Sequence, residues 1–242
     1  MQERQQFENY RNDERDCLRF LESKFPFNIL ELREVVGFLR LLYKDEKREN
    51  GDLISNHLLK VSKTFVETFD VSDFNLLFVA LMHDIIEDKQ QELCEITKVE
   101  NSRANAFNFL KNRFGHFNLS NDTWHRIDIL NKYNQFGRDQ SEKTRLYKLY
   151  VTSTFIDKWT LAIKCVDTIQ NMEDFSGILK EDKKMKAAKK YEENLSRMKI
   201  EIINNGYYSQ EIRNKILDLI DKTLKEIAEF LQELSIKKVF ID

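Results

Sequence analysis

Helix-breaking residues are almost missing from this chain: a single proline, Pro26, and six glycines among 242 residues. Proline removes a backbone donor and glycine loosens the backbone, so their scarcity argues for a nearly all-helical protein. Cysteine is also rare. Cys17, Cys94 and Cys165 are odd in number and widely spaced. They form neither a disulfide framework nor a CxxC site, which fits a reducing cytosol. Neither sign of charge dominates: 39 basic and 41 acidic residues leave a formal net charge of −2. That is a mixed surface without a global nucleic-acid signature. No apolar run approaches a membrane span, and Met1-Gln2-Glu3-Arg4-Gln5-Gln6 lacks the apolar stretch of a signal peptide. The expectation is a cytoplasmic protein that meets neither nucleic acid nor membrane. A chain of this length can bury a proper core as one domain, or as one domain with an appendage.

What is present is helical periodicity. Residues 4–23 read as a charged helix. Phe25-Pro26-Phe27-Asn28 is a break, with Asn28 read as the cap of a helix running to about residue 47. Arg48 to Asp52 is a turn, and a helix carrying His57 follows. Val71-Ser72-Asp73 caps the helix expected to carry His83 and Asp84. Residues 103–113 and 121–133 look helical, with Phe114-Gly115 between them, and the polar stretch 134–145 reads as a loop. Residues 146–172 hold one or two helices, and two long helices follow Gly177, broken near Asn204-Asn205-Gly206. Ile212, Ile216, Leu219, Ile220, Leu224, Ile227 and Leu231 form a helical stripe, read as core or as a homo-oligomer contact. No strand-period segment or internal repeat stands out.

Three separated pieces carry the chemistry: His57, the adjacent pair His83-Asp84, and Asp167. His83-Asp84 ends the apolar run Leu76 to Met82 and is followed by Ile85-Ile86-Glu87-Asp88. Imidazoles and carboxylates at the end of a buried run need a partner, because burying them unpaired is costly. A divalent cation is an economical one, and two imidazoles with two carboxylates suit zinc, manganese or iron rather than calcium. Helical spacing puts His83 with Glu87, Asp84 with Asp88, and Asp167 with Asn171 on shared faces. Singly, each has an ordinary reading: His57 as a helix histidine, Asp167 as an ion-pair partner, Glu87-Asp88 as a solvated helix end. Their joint occurrence in three apolar segments favours a metal site.

In this order, His57, His83-Asp84 and Asp167 resemble the H…HD…D pattern of the HD-domain phosphohydrolases. Ala80 to Asp88 resembles the "LLHDVVED" segment of the RelA/SpoT-type alarmone hydrolases, whose Glu-Asp pair after the HD distinguishes that branch. Arg48-Glu49-Asn50-Gly51, nine residues before His57, resembles its "RKSGEPYIxHP" loop, with Leu53, Ile54 and Leu58 replacing proline, tyrosine and the second proline. Arg113-Phe114-Gly115, Leu130-Asn131-Lys132 and Ile163 to Asn171 resemble its FG, LTK and VKLADRLHN landmarks. Thr168 and Gln170 depart from the last of these. The resemblance covers roughly residues 30–200 and leaves no room for a synthetase domain, as in stand-alone small alarmone hydrolases.

That resemblance implies an all-α HD-domain bundle over residues 29–200, an added N-terminal helix over 1–28, and a C-terminal extension over 201–242 packed on the same core. It implies one manganese ion on His57, His83, Asp84 and Asp167. Glu87 and Asp88 would be catalytic, with Glu87 orienting or deprotonating water. Arg48, Lys132, Asn171, Lys186, Lys190 and Tyr191 would meet the nucleotide, with Lys189 beside them in the same basic helix. Arg48 would stack on the purine. The implied reaction releases pyrophosphate from guanosine 3′-diphosphates, (p)ppGpp, and yields GDP or GTP. Two other readings stay open: a related phosphohydrolase acting on another nucleotide or on the 2′-phosphate of NADPH, and a non-catalytic nucleotide-sensing module. His116 and His125 match no family position and read as structural or exposed.

Overall fold

The computed structural model describes residues 2–44, 46–48, 50–131, 148–173 and 181–239. The fold is all-α. Among the described residues the only β-type pairing is an isolated bridge between Lys47 and Leu53. Helix α1 spans Gln2–Lys24, and a 3-10 turn at Pro26–Asn28 leads into α2, Ile29–Tyr43. Then come α3 (Ile54–Phe69), α4 (Phe74–Leu81), α5 (Ile85–Thr97), α6 (Arg103–Arg113) and α7 (Asn121–Leu130). Helix α8 is described over residues 148–153, and α9 (Lys158–Glu173), α10 (Glu181–Asn204) and α11 (Gln210–Val239) complete the chain.

Two elements have almost no exposed face. All of Phe74–Leu81 except Asn75 is buried in α4, and Thr160 to Gln170 is buried without interruption in α9. A helix buried all round belongs in the middle of a protein. Accordingly α3 packs against α1, α4 and α9, while α10 and α11 pack on each other and on α9. The buried apolar cluster runs from Cys17 through Leu58, Phe78 and Val166 to Ile227. Phe78 meets Phe114 edge-on at 5.3 Å and Trp124 at 5.7 Å. Phe114, between α6 and α7, is therefore a core residue. In the C-terminal stripe Ile216, Ile220 and Ile227 are buried, with Ile212, Leu219, Leu224 and Leu231 packed partly against the same core. The stripe is occupied within the chain.

Several boundaries differ from those expected. Helix α2 stops at Tyr43 rather than near residue 47, because Lys44 turns to a positive φ of 43° and its N–H bonds Arg40 O at 2.9 Å. Asn28 stands at the N-cap of α2, but its side chain makes no capping bond. Asp73 does cap α4, accepting from Asn75 N at 2.9 Å. That helix does not carry His83-Asp84, however: it ends at Leu81, and Met82 to Asp84 form a turn before α5. Helix α7 ends at Leu130 instead of 133. The expected loop at 134–145 lies outside the described residues.

Candidate metal centre

His57 lies in the first turn of α3, and that turn is fixed by a buried carboxylate. Asp52 accepts from Leu53 N (2.9 Å), Asn56 Nδ2 (2.7 Å) and Lys60 Nζ (2.8 Å). The chain enters this turn through Gly51, whose φ of 88° suits glycine. His83 and Asp84 occupy the α4–α5 junction, with Asp84 at the N-cap position of α5. Its side chain does not cap that helix. Asn131, at the end of α7, does so instead: its Oδ1 accepts from Ile86 N and Glu87 N, each at 2.8 Å. Asp84 is thereby released to face inward. Asp167 projects from the middle of α9, where Lys164 Nζ donates to its Oδ2 at 2.6 Å and Asn171 Nδ2 to its Oδ1 at 2.7 Å.

These elements bring the four expected ligands together. His57, His83, Asp84 and Asp167 each offer one donor atom, and all four atoms lie within 4.8 Å of one another. Three of the separations are 3.2 Å (His83 Nε2 to Asp84 Oδ2), 3.4 Å (His57 Nε2 to Asp167 Oδ1) and 3.6 Å (His83 Nε2 to Asp167 Oδ1). Neighbouring donors bound about 2.1 Å from one ion lie about 3.0–3.4 Å apart in octahedral or tetrahedral arrangements. Those three separations fit a single small cation within a few tenths of an ångström.

The histidine chemistry points the same way. His83 Nδ1 sits 2.8 Å from Ala80 O. A carbonyl only accepts, so Nδ1 carries a proton and Nε2 is the atom left for a metal. That buried Nε2 makes no hydrogen bond of good geometry, although it faces two carboxylates. A ring nitrogen between two anions needs a positive charge there, a proton or a metal ion. Burial pulls the His83 pKa down, but Asp84 and Asp167 outweigh it and raise it to about 10. Burial likewise opposes ionisation of Asp84 and Asp167. His83 overcomes it at Asp84, and Lys164 with both histidines overcomes it at Asp167, so both carboxyls are held below the usual range. With neutral imidazoles, two carboxylates and one ammonium leave a net negative cluster. A divalent cation makes it net positive, and so receptive to a phosphate.

The remaining expected residues separate into groups. Asn171 is engaged on both sides, since its Oδ1 accepts from Arg48 Nη2 while its Nδ2 holds Asp167. Arg48 is thus two hydrogen bonds from a ligand carboxylate. Glu87 is exposed just past the junction. Asp88 is also open to solvent, and its Oδ2 accepts from Tyr43 OH at 3.1 Å. Desolvation, then the charges of Asp84 and Glu87, push its pKa above the usual carboxylate range, a push that solvent contact tempers. Lys186 and Lys190 are exposed on α10, with the Lys190 ammonium 5.9 Å from the Tyr191 ring centroid. Lys132 lies outside the described residues. His116 pairs with Glu34 at 3.0 Å on the surface, and His125 is exposed.

Two residues at the site carry roles that the sequence reading did not assign. Lys164 is buried and neutralises Asp167; the legible signal was a lysine three residues before an aspartate inside an apolar helix. Asn131 caps α5 from 45 positions away, which no local pattern announces. Arg103 supports it by donating to Asn131 O at 3.1 Å and to Asp128. Fold and site together define an all-α protein with a buried two-histidine, two-aspartate centre able to hold a metal ion. Compared with protein-family models, curated proteins and solved structures, the chain matches none.

Proposed function

We propose that this protein is a manganese-dependent phosphohydrolase of the HD type, acting on guanosine 3′-diphosphate alarmones to release pyrophosphate. The observation that carries the metal-dependent part is the approach of four donors, from α3, α9 and the turn between α4 and α5, to within 4.8 Å. The substrate class rests on the alarmone-branch pattern of Arg48, Glu87-Asp88 and Asn171. His57, His83, Asp84 and Asp167 would hold the ion, and manganese suits their mixed imidazole–carboxylate character. A bound divalent ion supplies Lewis-acid polarisation of a phosphoryl oxygen and lowers the pKa of water.

The chain's own residues do the rest. Lys164 keeps Asp167 ionised and oriented, and Asn171 fixes its other oxygen. Glu87, one turn beyond His83 and open to solvent, takes a proton from the attacking water. Arg48 binds the polyanion from beside Asn171, offering planar donors to phosphate or a stacking face to the base. Lys186, Lys190 and Tyr191 contribute cations and a ring from α10, and Lys132 a further cation.

A second reading, hydrolysis of a different nucleotide, is favoured by one feature. Leu53 and Ile54 follow the Arg48 turn where the alarmone branch has proline and tyrosine. The deciding experiment incubates the manganese-loaded chain with guanosine tetraphosphate, plain 5′-nucleotides and NADPH, with products separated by chromatography. Pyrophosphate and GDP from guanosine tetraphosphate are expected. Cleavage of only a 5′-nucleotide or NADPH transfers the assignment to the second reading, and tight binding without turnover transfers it to a sensing role. Glu87→Gln should keep manganese and lose turnover by on the order of 10²-fold, the contribution of a general base. Turnover at the wild-type rate would make Glu87 an ordinary helix-end carboxylate.

A further inference from the structure

A second group of charged residues stands apart from the metal centre. Between α1 and α2 an open groove of about 410 Å³ is lined by Arg15, Arg19, Arg33, Arg40, Glu22, Leu18 and Val36. Four arginines, two from each helix, line it around an apolar floor. Arg33 pairs with Glu22 at 2.6 Å and Arg40 with Glu14 at 2.9 Å, in both cases through Nε. An arginine has five donors in a planar fork. Pairing through Nε fixes the plane and leaves the terminal nitrogens over, and those of Arg33 and Arg40 donate to no protein group among the described residues. Arg19 has only a long contact of 3.9 Å with Asp16, and Arg15 has no partner among the described residues. Counting Glu14 and Asp16 with Glu22, four cations still face three carboxylates.

We propose that this groove binds a small ligand joining a polyphosphate to a flat apolar group, of the nucleoside polyphosphate class. Oriented forks with unused donors are the arrangement that recognises phosphate oxygens in pairs. The floor of Leu18 and Val36, with the arginine stems beside it, offers nothing to a bare anion but gives a ring a surface to lie on. The volume is also that of a small-molecule site rather than of a lone phosphate. A ligand seated there bridges α1 to α2, and α2 ends three residues beyond Arg40 at Tyr43, the partner of Asp88. The groove shares no residue with the metal centre, so the proposal stands independently of the phosphohydrolase reading.

The test is calorimetric titration of the full chain with ATP, inorganic phosphate, adenosine and a single-stranded oligonucleotide, each at low and high salt. ATP should bind at least about tenfold more tightly than inorganic phosphate, adenosine should not bind detectably, and salt should weaken the ATP complex. Arg33→Ala/Arg40→Ala and, on the opposite wall, Arg15→Glu/Arg19→Glu should each weaken ATP by about tenfold or more, as charge-assisted hydrogen bonds are lost. Both variants should retain the wild-type manganese content, which shows that they fold. His83→Ala/Asp84→Ala should bind ATP as the wild type does. The proposal is overturned if wild type ignores ATP, if ATP affinity survives both arginine variants, or if it disappears with the metal ligands instead. Binding of a single-stranded oligonucleotide in place of ATP would overturn it as well.

Discussion

The candidate metal centre and the α10–α11 pair are both built from helices and both partly buried, yet they are held together by different physics. In α11, apolar residues at helical spacing meet a neighbouring helix, and the exposed face carries pairs four residues apart such as Lys215–Glu211 and Lys222–Glu226. The apolar residues there do what their positions in the repeat imply. At the centre, α3, the α4–α5 junction and α9 place imidazoles and carboxylates where the repeat calls for apolar groups. Those groups are kept there by specific partners: Ala80 O on His83, Lys164 and Asn171 on Asp167, Asn131 in place of Asp84 as a cap. Apolar helix packing dominates the first region, with exposed ion pairs such as Lys199–Asp221 added at its edge. The second has a local electrostatic cost that a bound cation would relieve.

The sharpest way to break this contrast is to remove two ligands at once. His83→Ala/Asp84→Ala should fail to take up the proposed manganese while α10 and α11 stay folded, as read by elemental analysis beside circular dichroism. Equal metal in wild type and variant would refute the centre. The same site predicts a pH dependence. With its metal-free pKa raised to about 10, His83 is protonated at neutral pH, so metal must displace that proton. Affinity should therefore rise with pH up to about 10, with about one proton released per ion at pH 7; calorimetry in buffers of different ionisation enthalpy measures it.

The converse perturbation should leave the metal alone. Ile220→Ala, in the α11 stripe, should cost about 2–5 kcal/mol in urea unfolding with manganese stoichiometry unchanged. Between these extremes lies Asn131→Ala. It removes the remote cap of α5 and should cost about 1–2 kcal/mol of stability. Unlike Ile220→Ala it should also weaken manganese binding, because Asp84 is then free to cap its own helix and turn away from the ion. Manganese affinity equal to wild type would show that the junction holds its shape without Asn131. The smallest effect is expected at the α11 surface: Glu211→Gln should change stability by about 0.2–0.5 kcal/mol and nothing else.

Much of this protein was legible residue by residue. The near absence of proline and glycine and the 3.6-residue periodicity determined an all-α fold, the break at Pro26 and the break near Gly206. The four ligand candidates were legible because histidine and aspartate inside apolar helices are costly without a partner. Tertiary structure alone decided the rest. A continuous helix through His83-Asp84 was the natural reading of an apolar run with a good cap, but the run ends at Leu81, and the turn after it lets two adjacent side chains reach one point. Helix α2 was expected to continue to about residue 47, yet Lys44 turns it into the Gly51 loop that presents Arg48. Asn131 as a distant cap, Arg48 docked on Asn171, and four arginines from two helices around one groove all depend on contacts far apart in the chain. Local sequence specifies periodicity and cost, which are properties of neighbours. The partner that relieves a buried charge is a property of distance in space, and only the packed helices set that distance.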